Sequence, residues 1–415
     1  MKYCVGFALF LAIGVASVSL AQTPTTSIRP SRVVVTNNLP APTKIVSPTP
    51  RPQPEQSVQT GPSEAISNII VGNGSDANLS FTQIKSKIAE AKRQMQTRPQ
   101  LTASEDPKLQ TSWVRIAFMD PQTQRIDFVS LSKDSYLTTG ALNQSVSNEG
   151  HQITTKTIRA NGVNTPLQMF DQSGRALLPL MVQYPVERGG RYMETAYYMS
   201  THPGLVTPEV VNAGKLYVHN VIEIARDRLK QKGINIQSGI ADVAERLAAV
   251  EHVDHDRFRN EPRQNIYNDI FTLYALNEGQ TFRYSVSSAG AGGMVQMIPS
   301  TYSMIRSRYS SVGLMPDFVE GMRNHVNATE AMLLYMQMTW NDLASNSSVA
   351  GAMANGIATQ KQLMAAGYNS NPAKLGGYID RGGSGWTNLI PRETQMYLQI
   401  YDSLERSVPM TPRAR

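Results

Sequence analysis

The sequence predicts a multidomain α+β protein, in which a small antiparallel β domain and several helices precede a mainly α C-terminal region. Two patterns predict this class. Short alternating apolar runs separated by turn residues occupy 105–202, and apolar residues at helical spacing follow from Pro208 onward. The composition supports it, because a chain of 415 residues with 41% hydrophobic and 17% charged residues can bury one or two cores. Wholesale disorder and a polytopic membrane protein are therefore excluded.

Residues 1–21 have the layout of a secretory signal peptide. Lys2 precedes an apolar run, and small residues precede a predicted cleavage after Ala21. The alternative is an uncleaved anchor, but the run is shorter than the roughly 20 apolar residues that span a bilayer. Cys4 is the only cysteine, so the mature chain would contain no disulfide. We expect an exported protein of the bacterial periplasm or cell envelope.

Two segments separate this peptide from the β domain. Residues 22–62 contain nine prolines, four basic residues and one acidic residue, which is typical of an extended linker. Residues 63–104 form a weakly helical segment, in which the apolar residues that share one face are Phe81, Ile84, Ile88 and Met95.

The β domain is predicted over 105–202. Alternation places strands at 113–118, 126–129, 153–158, 167–170 and 177–184. Asp120-Pro121 marks one turn, and Asn161-Gly162 and Asp171 to Gly174 are interpreted as two hairpin turns. The segment shows no catalytic pattern. A sheet that binds other envelope proteins and a sheet that only packs are both compatible with it.

Residues 203–262 are predicted to form a helical connector. Pro208 suits the first turn of its first helix, Gly233 suits the end of that helix, and a second helix covers 240–250. His252 and His255, with nearby aspartates, could be drawn as metal ligands. A His pair at this spacing is more often a surface feature, and no third ligand stands at a recognised spacing. We therefore predict no metal and no cofactor.

A buried helix beginning near Asn265 is expected to end at Glu278-Gly279. Phe282 and Tyr284 flank this carboxylate in the sequence. Such an apolar environment is expected to raise the pKa of Glu278, as a general acid requires.

The residues around and beyond Glu278 form three ordered blocks. The first is Glu278, Ser287, Gly290-Ala291-Gly292-Gly293, Met294, Gln296 and Pro299-Ser300-Thr301; the second runs from Ala365 to Pro372; the third is Pro391-Arg392-Glu393-Thr394 with Tyr397. These blocks resemble the catalytic domain of the soluble lytic transglycosylases, which are lysozyme-like enzymes that cleave bacterial peptidoglycan. The chain departs from the family pattern at Gly279, where a Ser is usual, and at Asn371, where a Gly is usual. The resemblance implies a lysozyme-like domain over 263–408.

The family mechanism implies that a single carboxylate acts twice. Protonated Glu278 would donate to the oxygen linking N-acetylmuramic acid to N-acetylglucosamine, and would then take the proton of the muramoyl C6 hydroxyl, closing a 1,6-anhydro ring. Ordinary glycosidases use two carboxylates. Here no further Asp or Glu occurs before Asp317.

The resemblance also implies supporting roles. Tyr368 would lie near the reacting centre, and the residues expected to contact the sugars are Ser287, Gly290, Ala291, Met294, Gln296, Asn369 and Glu393. We favour a structural role for Glu393 in the first turn of the last helix. The Gly-rich stretch is not a nucleotide-binding loop, because no Lys follows it.

Two other functions stay open: a non-catalytic peptidoglycan-binding or scaffold protein of the envelope, and a hydrolytic muramidase. The net charge of +7 suggests a nucleic acid at first, but residues 251–415 carry 14 basic and 14 acidic side chains. The excess lies in the N-terminal segments. We expect glycan strands as the substrate, no nucleic acid, and peripheral attraction of the basic linker to anionic wall or membrane.

Overall fold

The computed structural model describes residues 79–97, 111–188, 190–279 and 290–414. Within these residues the protein is mixed α+β, with an antiparallel sheet preceding a helical region, as predicted. The predicted signal peptide at 1–21 and linker at 22–62 lie outside the described residues.

Helix α1 (Phe81–Thr97) confirms the helical prediction for its segment. It begins with a reciprocal cap, in which the Ser80 amide donates to Gln83 Oε1 (2.8 Å) and the Gln83 amide donates to Ser80 Oγ (3.3 Å). The helix buries one apolar face that consists of Ile84, Ile88, Ala91 and Met95. This face shares a core with residues of the sheet and with the end of a later helix at Leu276.

Seven antiparallel strands form one sheet: β1 (Trp113–Met119), β2 (Ile126–Ser132), β3 (Leu142–Val146), β4 (Gln152–Thr157), β5 (Leu167–Asp171), β6 (Ala176–Arg188) and β7 (Arg191–Tyr198). Their order is β2-β1-β6-β5-β4-β3, and β7 also pairs with β6. A short helix, α2 (Lys133–Tyr136), follows β2. Strands β3 and β7 were not predicted, because β3 is largely polar and β7 carries two charged residues and few buried ones.

The sheet curls nearly into a barrel. The Asn148 amide, just beyond β3, donates to the Phe128 carbonyl of β2 (2.9 Å). The Asp171 to Gly174 hairpin is confirmed, with the Gly174 amide bonded to the Asp171 carbonyl (3.0 Å). The turn predicted at Asn161-Gly162 is also confirmed, because it lies in the connection of the antiparallel β4–β5 hairpin, where the Asn164 amide donates to the Asn161 carbonyl (3.0 Å). Thr165 organises that connection by accepting the Asn161 amide at Oγ1 (2.9 Å).

The helical region contains α3 (Pro208–Gln231), α4 (Ser238–Val250), α5 (His255–Asn260), α6 (Arg263–Leu276), α7 (Pro299–Arg308), α8 (Phe318–Arg323), α9 (His325–Ala344), α10 (Ser347–Ala354), α11 (Gln360–Asn369), α12 (Leu375–Gly382) and α13 (Arg392–Ser407). Local signals set their ends. Pro208 is the first residue of α3 behind the capping Thr207, and Gly233 follows the helix with φ of 79°. None of the helices among the described residues is both long and apolar enough to cross a bilayer.

One core unites these helices. The two helices of the predicted connector, α3 and α4, contribute to the same cluster as α6, α9, α11 and α13. Helix α3 lies against α6 at Gly214, where a Cβ atom would stand 1.8 Å from the Phe271 carbonyl oxygen. Only a glycine permits so close an approach. One turn later, the contact places Tyr217 beside Tyr274, near the end of α6 that leads to Glu278.

Candidate functional site

Glu278 stands directly after α6, as the sequence predicts. The preceding residue, Asn277, is buried and pairs with the backbone of Met199: its Oδ1 accepts the Met199 amide (2.9 Å) and its Nδ2 donates to the Met199 carbonyl (2.8 Å). The following residue, Gly279, has φ of 75°, which favours glycine. The helix therefore ends in a turn whose position is fixed against the sheet.

The Glu278 side chain projects toward solvent and contacts a cation. It is 42% exposed, and Lys85 of α1 places Nζ at 3.1 and 3.0 Å from its two carboxylate oxygens. The described residues thus do not give Glu278 the apolar environment that we expected. Phe282 and Tyr284, on which that expectation depended, lie outside the described residues, as does Ser287.

Two side chains that sequence reasoning missed hold the backbone after Glu278. The Gly279 amide donates to Tyr217 Oη (2.7 Å), and Tyr217 Oη lies 2.7 Å from His325 Nδ1. Burial raises the pKa of Tyr217 to about 12, although the Gly279 amide opposes this effect. Burial, with a smaller contribution from His252, lowers the pKa of His325 to about 3. The phenol and the imidazole are therefore both neutral, and the His325 tautomer sets which of them donates. Both residues lie outside the three blocks, so no sequence signal marked them.

The Gly-Ala-Gly-Gly stretch at 290–293 forms a compact turn beside α6. Gly290 and Gly293 have φ of 74° and 79°, and the Gly292 amide donates to the Met297 carbonyl (3.1 Å). Ala291 and Met294 are buried. The Tyr274 hydroxyl of α6 donates mainly to the Ala248 carbonyl (2.7 Å), with the Met294 carbonyl as a second acceptor at 3.4 Å. When His252 Nε2 carries its proton, it also donates to the Met294 carbonyl (3.0 Å). The turn is thereby attached to the helix that carries Glu278.

Gln296 lies in this turn with its side chain directed inward. It is buried, has φ of 47°, and donates from Nε2 to the Gly293 carbonyl (2.9 Å). We expected its amide to bind sugar. In the structure the amide nitrogen supports the turn, where a left-handed backbone at a non-glycine residue requires such a contact.

Tyr368 and Asn369 bring the three sequence blocks into contact. Buried Tyr368 donates from its hydroxyl to the Val295 carbonyl of the first block (2.7 Å). Asn369 accepts at Oδ1 from Thr394 of the third block (2.9 Å). Glu393 stands in the first turn of α13, where we placed it. Segments separated by about a hundred positions thus meet beside α6.

The described residues contain one group of side chains with the spacing of metal ligands. The ligand atoms of Asp127, Glu149 and His151 lie within 4.8 Å of one another at the edge of the sheet. Protein groups already engage the two acids, since Asp127 Oδ1 accepts the Phe128 amide (2.7 Å) and Glu149 pairs with Arg125 (3.1 Å). His252 and His255 do not belong to such a group among the described residues.

Comparisons with known proteins found no matching family model, no similar curated protein and no similar solved structure. Function is therefore inferred from the residues and contacts described above.

Proposed function

We propose that this protein is a lytic transglycosylase that cleaves the glycan strands of peptidoglycan, and that its helical region is lysozyme-like. The observation that carries the proposal is the convergence of the three blocks beside α6. Tyr368 contacts the first block at Val295, and Asn369 contacts the third at Thr394. The Met294 carbonyl of the first block lies 3.4 Å from the Tyr274 hydroxyl of α6. A resemblance confined to sequence would not require these contacts.

The proposed reaction uses Glu278 as acid and then as base. In its protonated form the carboxyl donates to the glycosidic oxygen between N-acetylmuramic acid and N-acetylglucosamine, and the bond to the muramoyl C1 breaks. The resulting carboxylate takes the C6 hydroxyl proton while that oxygen bonds to C1, giving the 1,6-anhydro product without water. No acid lies between Glu278 and Asp317 in the sequence, which favours the mechanism with one carboxylate.

The ion pair with Lys85 is compatible with this role. Nζ occupies both carboxylate oxygens, so one of them must be released before it can carry a proton to the substrate. The two side chains are 46% and 42% exposed. Exposed ion pairs contribute only about 0–1 kcal/mol, so bound glycan can displace this one.

The remaining features suit a glycan in the cell envelope. The glycines at 290–293 let the backbone approach the sugars closely, and the balanced charge of residues 251–415 suits a substrate recognised by hydrogen bonds and shape. No cofactor is required. We place the protein in the periplasm, with the basic segment 22–62 attracted to anionic wall or membrane and the sheet available to other envelope proteins.

The product distinguishes the candidate functions. Purified full-length protein is incubated with murein sacculi, and the released material is analysed by mass spectrometry. Anhydro-muropeptides are expected. Reducing ends would identify a hydrolytic muramidase, and binding to sacculi without release would identify the scaffold alternative.

Tyr368→Phe is expected to lower the rate of anhydro-muropeptide release by about 10- to 100-fold. Loss of the hydroxyl leaves the Val295 carbonyl without this buried donor, and the turn that contains Val295 is loosened. The expected loss of rate is smaller than for Glu278→Gln, because no proton-transferring group is removed. Initial rates on sacculi measure the effect. A fully active Tyr368→Phe protein would contradict the role of this hydroxyl.

A further inference from the structure

We propose that Tyr217 is a positioning residue of the Glu278 site, contributed by α3 and therefore from outside the region that resembles the transglycosylases. Its hydroxyl fixes the peptide unit that follows Glu278. The inference rests on the proposed function, because it concerns the orientation of the carboxyl that reacts.

The contact is made with the peptide bond itself. The Gly279 nitrogen belongs to the peptide unit that joins Glu278 to Gly279, and it donates to Tyr217 Oη (2.7 Å). The peptide plane sets the ψ angle of Glu278, and with it the direction in which the side chain leaves the backbone. A displaced Gly279 amide therefore displaces the carboxyl.

Glu278 depends on this backbone support. Its side chain is 42% exposed, so packing contributes little to its orientation. The residues on its two sides are held instead: Asn277 by the backbone of Met199 and Gly279 by Tyr217. Gly279 has a left-handed backbone and no side chain of its own to hold it. The Tyr217 hydroxyl provides the fixed point on that side.

The hydroxyl is itself held in place. Tyr217 stacks on Tyr274 with ring centroids 6.4 Å apart, and its ring meets His325 edge-on at 5.8 Å. Its oxygen is hydrogen-bonded to His325 Nδ1 (2.7 Å) and, with either His325 tautomer, accepts the Gly279 amide (2.7 Å). Gly214, one turn earlier, permits the close contact of α3 with α6 that brings the ring here. Both hydrogen-bond partners of this oxygen are therefore held in place.

Tyr217→Phe in the full-length chain tests the proposal, with Tyr302→Phe as the matched control. The hydroxyl of buried Tyr302 also makes two hydrogen bonds, donating to the Met315 carbonyl (2.8 Å) and accepting from Asn327 Nδ2 (2.8 Å). We expect Tyr217→Phe to lower kcat on sacculi at least about tenfold, the loss expected for one hydrogen bond, with KM within about twofold of wild type. Both variants are expected to lower the melting temperature by similar amounts, but Tyr302→Phe is expected to leave kcat unchanged.

Hydrogen exchange of the Gly279 amide provides a readout that does not depend on activity. Exchange is expected to be slow in the wild type and in Tyr302→Phe, and faster in Tyr217→Phe. Unchanged exchange in Tyr217→Phe, an unchanged kcat, or equal losses of kcat in both variants would overturn the inference. A wild type that releases no anhydro-muropeptides would overturn the proposed function, and with it the role of Tyr217 in that reaction. The exchange result would still decide whether Tyr217 holds the Gly279 amide.

Discussion

Glu278→Gln is expected to reduce release of anhydro-muropeptides from sacculi by about 10³-fold or more, within the range lost when a general acid and base is removed. Glutamine keeps the length and the hydrogen-bonding oxygen of the side chain. It can neither donate a proton to the glycosidic oxygen nor take one from the C6 hydroxyl. Mass spectrometry of timed digests measures the rate.

Glu90→Gln is the matched control for the lost charge. Glu90 pairs with Lys87 on α1 (3.1 Å) and is about as exposed as Glu278, so its substitution also removes one exposed ion pair. Both variants are expected to have free energies of unfolding within about 1 kcal/mol of the wild type. Glu90→Gln is expected to remain fully active. Equal release from Glu278→Gln and wild type would refute the assignment of Glu278.

Arg413→Ala is expected to lower the free energy of unfolding by about 3 kcal/mol or more, because it leaves the buried acid Glu245 without its main cation. The Arg413 side chain is only 4% exposed. It contacts Glu223, Asp242 (3.0 Å) and Glu245 (2.6 Å) on helices α3 and α4. Glu245 is 6% exposed and would retain only the His219 contact among these ionic partners. Urea unfolding at neutral pH measures the loss.

The effect should depend on pH. Burial opposes ionisation of Glu223, but hydrogen bonds from Arg413 and Arg226 outweigh it, so the pKa of Glu223 is lowered on folding. A carboxylate with a lowered pKa contributes stability that is present at neutral pH and is lost as the pH falls through its folded pKa. The difference between Arg413→Ala and wild type should therefore shrink below about pH 4.

Arg259→Ala is the control for this prediction. Arg259 pairs with Asp256 (2.6 Å), but both side chains are largely exposed. Its substitution is expected to change the free energy of unfolding by less than about 1 kcal/mol at any pH. If Arg413→Ala also changed the free energy of unfolding by less than about 1 kcal/mol, the contacts of Arg413 with the acids of α3 and α4 would not hold these helices to the C-terminal segment.

Several elements were predictable from local sequence because their signals are local. The apolar face of α1, the proline and glycine at the ends of α3, and the end of α6 before Glu278 depend on residues within a few turns. The Asp171 to Gly174 hairpin is similar, since its stabilising hydrogen bonds join neighbouring residues. These features follow from side-chain spacing and backbone preference alone.

Other features depended on partners distant in the sequence. Strands β3 and β7 lack strong alternation and are strands because β4 and β6 supply their hydrogen bonds. Propensity was a weak guide there because tertiary contacts overrode it.

The sequence by itself determined the helical pattern and the identity of the residues in the three blocks, including Glu278, Gln296 and Tyr368. Only the tertiary structure decided their surroundings: Lys85 at the carboxylate, Tyr217 and His325 behind Gly279, and Gln296 turned into its own loop. Lys85 is separated from Glu278 by 193 positions. Such contacts arise from the packing of α1 and α3 onto α6, which no local pattern encodes.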